Sequence, residues 1–356
     1  MHWNNPDSRR FADDAHFVGE IVSAGYKRAD YDRIHNFTSE ACDRLEAIII
    51  AGLFFFLVGP PFAAQAQTVQ TNQAELARQT QPAFTPTPAP AGVEPSQAVA
   101  SPNDVDLGEQ QILKRAERYQ PFTVTASSPV YYTSNVALTN SNVKADVVEA
   151  PSVGIFYQPR ISGNLYGLAD VKEQFFVYDK YSSFDFGSMD VEAGLSYIVP
   201  QVNNLILRAE YDFNRLTLLD RDLDEFYENH SIILNAEVPL PINRAQQLSL
   251  GLNANISLAA DHETPRRNDY EEYAAYTLRL TRALTLAASG RVGFQVYHAG
   301  GRWDTLEILS LNATYQLTPW FGLSAISSYA HNKSNRVGFD YDVGNVGGAV
   351  SLGFRF

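Results

Sequence analysis

Few residues in this chain have the type and spacing for chemistry. Asp220-Arg221-Asp222-Leu223-Asp224-Glu225 opens like a calcium loop, with carboxylates at alternate positions. A calcium hand needs glycine sixth and glutamate twelfth. Those places hold Glu225 and Ser231, so the segment reads as a solvated acidic loop. Gly344-Asn345-Val346-Gly347-Gly348 lacks the spacing and strand-to-helix setting of a phosphate loop; it reads as small residues in a wall, with Gly347 relieving crowding. His230, His262 and His331 fall at loops or strand ends. His298 is the one histidine expected at the end of an outward row, and no serine on a neighbouring strand pairs with it. No catalytic residue, metal ligand or cofactor is assigned.

A second group of polar residues recurs at every other position. Asp170, Lys172, Asp190, Glu192, Arg208, Glu210, Asp212, Glu237, Glu271, Arg279, Arg291 and Arg355 share the phase of Asn253, Asn255 and Gln295. Seven of these charges are acidic and five basic. Such a set either lines a hydrated lumen or pairs off as a structural network inside a plugged one. The first reading is preferred, with these residues lining a pore of weak cation preference.

The phase itself comes from strands, which place alternate side chains on opposite faces. Leu248, Leu250, Leu252, Ala254, Ile256, Leu258 and Ala260 alternate with Gln247, Ser249, Gly251, Asn253, Asn255, Ser257 and Ala259. Leu205 to Phe213, Leu284 to Val296 and Leu309 to Leu317 repeat the pattern. The runs suit a tilted membrane strand of roughly 9–11 residues better than the five or six of a globular sheet. Tyr157, Tyr197, Tyr211, Tyr276, Tyr315, Phe321 and Tyr329 mostly sit towards strand ends on the apolar face, where interfacial girdles belong. Short links at 158–164, 200–204, 239–245, 282–283 and 318–319 alternate with generally longer ones at 135–146, 179–187, 215–229, 261–269, 298–302 and 331–342.

Five turns and six loops join twelve strands, and an even count returns the C-terminus to the side of the N-terminus. The expected strands are 122–134, 147–157, 165–178, 188–199, 205–214, 230–238, 246–260, 270–281, 284–297, 303–317, 320–330 and 343–356. The fold class is all-β, a twelve-stranded antiparallel transmembrane barrel over 122–356. Glu173 would fall on the lipid face, which suggests a bulge or a misplaced boundary there.

What precedes the barrel reads as export machinery. The apolar run Ala47 to Val58, then Gly59-Pro60-Pro61 and Ala64-Gln65-Ala66, has the grammar of a signal peptide cleaved after Ala66. It is short for a membrane helix, which wants roughly 20 apolar residues. Residues 1–46 are unusually long for a signal's leading region, as an extended signal or an early start site would make them. Six Lys/Arg and nine Asp/Glu precede Gln67, leaving 21 basic against 31 acidic residues and a net charge of about −10. That balance argues against nucleic acid as a partner. The single cysteine, Cys42, is lost on cleavage, and thiol catalysis and disulfides go with it. Residues 67–103 are rich in Gln, Thr, Ala and Pro and read as an extended or disordered periplasmic linker. Residues 104–121 read as one short helix, with Ile112, Leu113, Ala116 and Tyr119 on one face.

The chain closes on Val346, Gly348, Val350, Leu352, Phe354 and Phe356 in one alternating row. This resembles the C-terminal signature of Gram-negative outer-membrane barrels, a porin-like channel class, which the barrel assembly machinery reads. The resemblance implies an outer-membrane protein with periplasmic linker and termini, and Phe354 and Phe356 as its assembly signal. The expected function is a monomeric passive channel for small hydrophilic solutes or ions, set in lipid and lipopolysaccharide. A structural or surface-binding protein with a plugged lumen is the alternative, and a lipid-modifying enzyme the next. An autotransporter translocator fits poorly, since only about 55 residues separate Ala66 from Phe122.

Overall fold

The computed structural model describes residues 67–80, 120–219 and 224–356. The signal peptide, the linker beyond Thr80, residues 104–119 of the short helix expected over 104–121 and residues 220–223 of the acidic loop lie outside the described residues.

The strands are β1 (Phe122–Thr133), β2 (Asp146–Glu149), β3 (Ser152–Tyr157), β4 (Arg160–Ser162), β5 (Leu165–Tyr178), β6 (Phe186–Val199) and β7 (Leu205–Leu218). They continue with β8 (Glu225–Pro241), β9 (Gln246–Ala260), β10 (Arg267–Arg279), β11 (Leu284–Tyr297), β12 (Trp303–Thr318), β13 (Phe321–Ser334) and β14 (Tyr341–Arg355). β2 and β3 form one barrel strand interrupted at Ala150-Pro151, since both pair with β1 and β5 and proline has no N–H for a ladder. β4 only adds to β5 within a turn. The result is a closed twelve-stranded antiparallel barrel, each strand pairing with its chain neighbours and β14 returning to β1. At the seam Phe356 N lies 2.9 Å from Phe122 O, and the register runs unbroken from Thr123↔Arg355 to Thr133↔Asn345.

The outer face is apolar and uncovered: Leu252 is 62% exposed, Leu309 64% and Leu311 62%. A water-soluble sheet would bury such a band, whereas a closed barrel can offer it to lipid because no strand edge is left unpaired. Aromatics gather on this face at the end with the short turns, where Phe122 meets Tyr157 and Trp320 stacks on Phe354 at 6.0 Å. Asn203 and Asn204, both with positive φ, make the tight β6–β7 turn.

Three smaller features depart from expectation. Strands run further at the loop end, so that Arg267, Asn268 and Asp269 belong to β10 rather than to a loop. Glu173 sits in unbroken register, opposite Val153 and Met189; there is no bulge, and it faces outward. A Cβ at Gly187 would lie 3.2 Å from its Oε1 and 3.0 Å from Thr217 Oγ1, so the carboxylate folds over a glycine. A bulge does occur in β9, where His230 faces Ala259 but Ser231 faces Ser257. The extra residue, Leu258, flips the phase beyond it, and Ala260 packs against the inner core.

The largest departure is that residues 67–80 are helical (α1) and lie within the barrel. A helix of this length spans about 21 Å. Its contacts reach walls all round: the β1 loop, β6, β8, β10, β12, and Ile326 on β13. The linker reading therefore fails over this stretch. Composition showed too few apolar residues to build a core, but the partner here is a polar lumen, which asks for hydrogen bonds instead.

Candidate functional site: the lumen and the helix inside it

Inner-wall side chains come from one phase of each strand. All the charged and amide residues expected on that phase fall on it, but the register sorts them into separate groups. Across β5, β6, β7 and β8 one row runs Asp170, Glu192, Asp212, Ser231, and the next Lys172, Asp190, Asn214, Asn229. Arg208 and Glu210 follow towards the turn end, opposite Ser196 and Gly194. A Cβ at Gly194 would lie 2.8 Å from Glu210 Cγ, so only glycine leaves room for that side chain.

A second group lies across β8 to β12. Tyr273 lies over Gly251, whose Cβ would be 2.2 Å from the ring, and donates to Glu237 Oε2 at 2.8 Å. Glu237 is opposite Ile206 and turns towards β10. It is thus no neighbour of Glu210, which stands opposite Ile233. Arg291 bonds Glu271 at 2.6 Å, its guanidinium 4.9 Å above the Tyr273 ring. Asn253 is opposite Glu271, Asn255 opposite Asp269, and Gln295 opposite Asp269 and Asp304. Arg279 and Arg355 stand apart at the turn end, opposite Thr285 and Thr123.

α1 fills the loop half of this space, its first residue nearest the loops. Gln67 and Gln70 donate to the carbonyls of Phe226 and Phe184, and Gln73 to Val136 O at 3.1 Å. Asn72 accepts from Arg267, which also binds Asp269 and the Tyr297 hydroxyl. Leu76 packs with Leu138, Leu306, Ile308 and Tyr341, and Ala74 and Ala77 with Tyr131 and Phe176. Deeper in, Arg78 bonds Asp190, and the Thr80 carbonyl accepts from Asn312 at 3.4 Å.

At the loop mouth Arg302 is held between the rings of Tyr297 and Phe339, 4.0 and 3.8 Å from their centroids, with its Nε 3.0 Å from both oxygens of Asp304. Lys333 and the Ser334 amide bond Asp340 and hold its carboxyl below the usual range.

Sequence reasoning missed α1, Arg267, Asp269, Tyr273 and Arg302. Asp269 and Arg302 were placed in loops one residue from a strand, and Tyr273 carried no charge to mark it. Nothing local marks Arg78, because its partner lies 112 residues on.

The outer face carries two histidine clusters near the loop end. His230 has Tyr211 Oη 2.5 Å from Nδ1 and Glu228 Oε1 2.9 Å from Nε2. His331 and Tyr329 both bond Asp342, at 2.8 and 2.5 Å. Both nitrogens of His230 are engaged, by a tyrosine hydroxyl and a carboxylate. His298 contacts Asn268 at 3.3 Å. No serine hydroxyl is hydrogen-bonded to any of these imidazoles among the described residues.

No known protein family and no curated protein matches the chain. Among solved structures it is similar to the COG4313 outer membrane channel from Pseudomonas putida F1, at 11% identity and a TM-score of 0.48 over 66% of this chain and 96% of that one. It is also similar to KdgM porin, at 10% identity and a TM-score of 0.33 over 64% and 99% of the two chains. LpxR from Salmonella typhimurium is similar at 10% identity and a TM-score of 0.38, over 65% and 99%. What the three share with this chain is the barrel.

Proposed function

We propose that this protein is an outer-membrane channel for small hydrophilic solutes or ions, closed at its loop end by α1 and opened by that helix's withdrawal. The observation that carries the reading is the character of the helix–wall contact. It is made mainly by three glutamine amides against backbone carbonyls, by Asn72 accepting from Arg267, by Arg78 on the Asp190 carboxylate and by the Thr80 carbonyl accepting from Asn312. Water can replace such partners, so the net worth of each neutral hydrogen bond is small, about 1 kcal/mol, and that of the bonds to Asp190 and Arg267 about 1.5–3 kcal/mol. A permanently sealed core would be built from apolar packing, and here only Val69, Ala74, Leu76 and Ala77 supply it. The turns and the C-terminus lie on the periplasmic side, and the loops face lipopolysaccharide.

Planar-bilayer conductance tests the reading. Wild-type protein is expected to show low or transient conductance. A variant lacking residues 69–80, which keeps the two residues after the cleavage site, is expected to conduct steadily with a reversal potential favouring cations. A deletion variant that folds and conducts no ions sinks the channel reading. It would favour a structural or surface-binding barrel instead, a reading the helix in the lumen already supports.

A further inference from the structure

Five carboxylates crowd one stretch of the inner wall. Asp170, Glu192 and Asp212 stand directly opposite one another across β5, β6 and β7, with Asp190 and Glu210 alongside. Like charges in directly opposed positions destabilise a sheet, and the cations these three strands supply to the same wall are Lys172 and Arg208. Arg78 on α1 brings a third. It bonds Asp190, which Asn214 Nδ2 holds at 2.7 Å.

The match is incomplete. Asp212 is 1% exposed; one of its oxygens takes the Ser231 hydroxyl at 3.2 Å, while Oδ1 is buried with no hydrogen-bond partner. Arg78 Nε is also buried without a partner. A guanidinium carries five N–H donors in a fixed fork, and a tethered one cannot turn all of them to the row. The wall therefore presents more acceptor capacity than its resident cation uses.

We propose that this acidic row is a binding site for small organic cations bearing a guanidinium or primary amine, and that Arg78 occupies it as a tethered stand-in. The proposal rests on the reading of the lumen as a solute path and names the class of solute. A tethered group competes at an effective concentration of roughly millimolar or above. Freeing the site should therefore expose an affinity that wild-type protein conceals.

The test is calorimetric titration of the folded, detergent-solubilised full chain with agmatine, and with glucose as the neutral control. Heat-modifiability on gels verifies the barrel in each variant. Arg78→Gln should bind agmatine at least tenfold tighter than wild type. Adding Glu192→Gln and Asp212→Asn should abolish that binding, and glucose should bind none of the proteins. A folded Arg78→Gln variant that binds agmatine no better than wild type overturns the proposal, as does a triple variant that binds as well as Arg78→Gln. Conductance of the variant lacking 69–80 separates the two readings. Agmatine binding without conductance retires the solute path and keeps the site, whereas conductance without binding retires the site alone.

Discussion

Leu252 faces lipid midway along β9, and an arginine there should cost about 2–4 kcal/mol. The register alters that expectation, because Glu272 is directly opposite Leu252 and shares its outward phase with Val292 on the other side. Directly opposed Cβ atoms lie about 4.5–5.5 Å apart. Unit charges ~5 Å apart attract by about 3 kcal/mol at an effective dielectric of 20, and ordering two long side chains takes back about 1–2 kcal/mol. Leu252→Arg should therefore cost about 1–2 kcal/mol less than Leu311→Arg, where the opposed residues are Ala288 and Ser327 and the lipid-face penalty applies in full. In a Glu272→Gln background the two should cost the same. Reversible urea unfolding from short-chain lipid vesicles, followed by tryptophan fluorescence, measures wild type and each variant. Asn253→Arg is the inward control and should cost little, since it faces Glu271 across the lumen wall. Equal losses for Leu252→Arg and Leu311→Arg, unchanged by Glu272→Gln, would refute the β9–β10 register and the outward position of Glu272.

Two further changes probe the wall. Deleting Phe356 removes its two backbone hydrogen bonds with Phe122 and a ring contact at 6.4 Å; at about 1 kcal/mol per bond the seam should loosen, and heat-modifiable protein in the outer membrane should fall well below wild type, while normal levels would argue against a role in assembly. Gly347→Val would set a Cβ 2.2 Å from Val130 O and 2.5 Å from Tyr131 Cα, backbone that cannot yield cheaply, so the β1–β14 seam should be destabilised by about 1–3 kcal/mol in the same urea assay; stability equal to wild type would mean the two strands are not so close.

What the sequence determined by itself was the barrel and the facing of its side chains. Alternation is local, since each strand residue points opposite to its neighbour, so Asp170, Glu210 and Arg291 could be placed inward without knowledge of any partner. It failed where the bulge at Leu258 breaks the count, at Ala259 and Ala260. At Glu173 the alternation pointed outward but a bulge or misplaced boundary was expected instead; the register is unbroken, and Gly187 gives the outward carboxylate a resting place.

Tertiary structure decided which inward residues meet. Glu237 turns to Tyr273 rather than to Glu210 because the β7–β8 register sets it opposite Ile206, and no pattern within one strand contains that register. It also decided the fate of residues 67–80. Their sequence has no apolar stripe wide enough to mark a packed helix, and in isolation so short a helix is marginal. It becomes a helix because the closed barrel presents carbonyls, amides and carboxylates on every side of it, and that enclosure exists only once β14 has paired with β1.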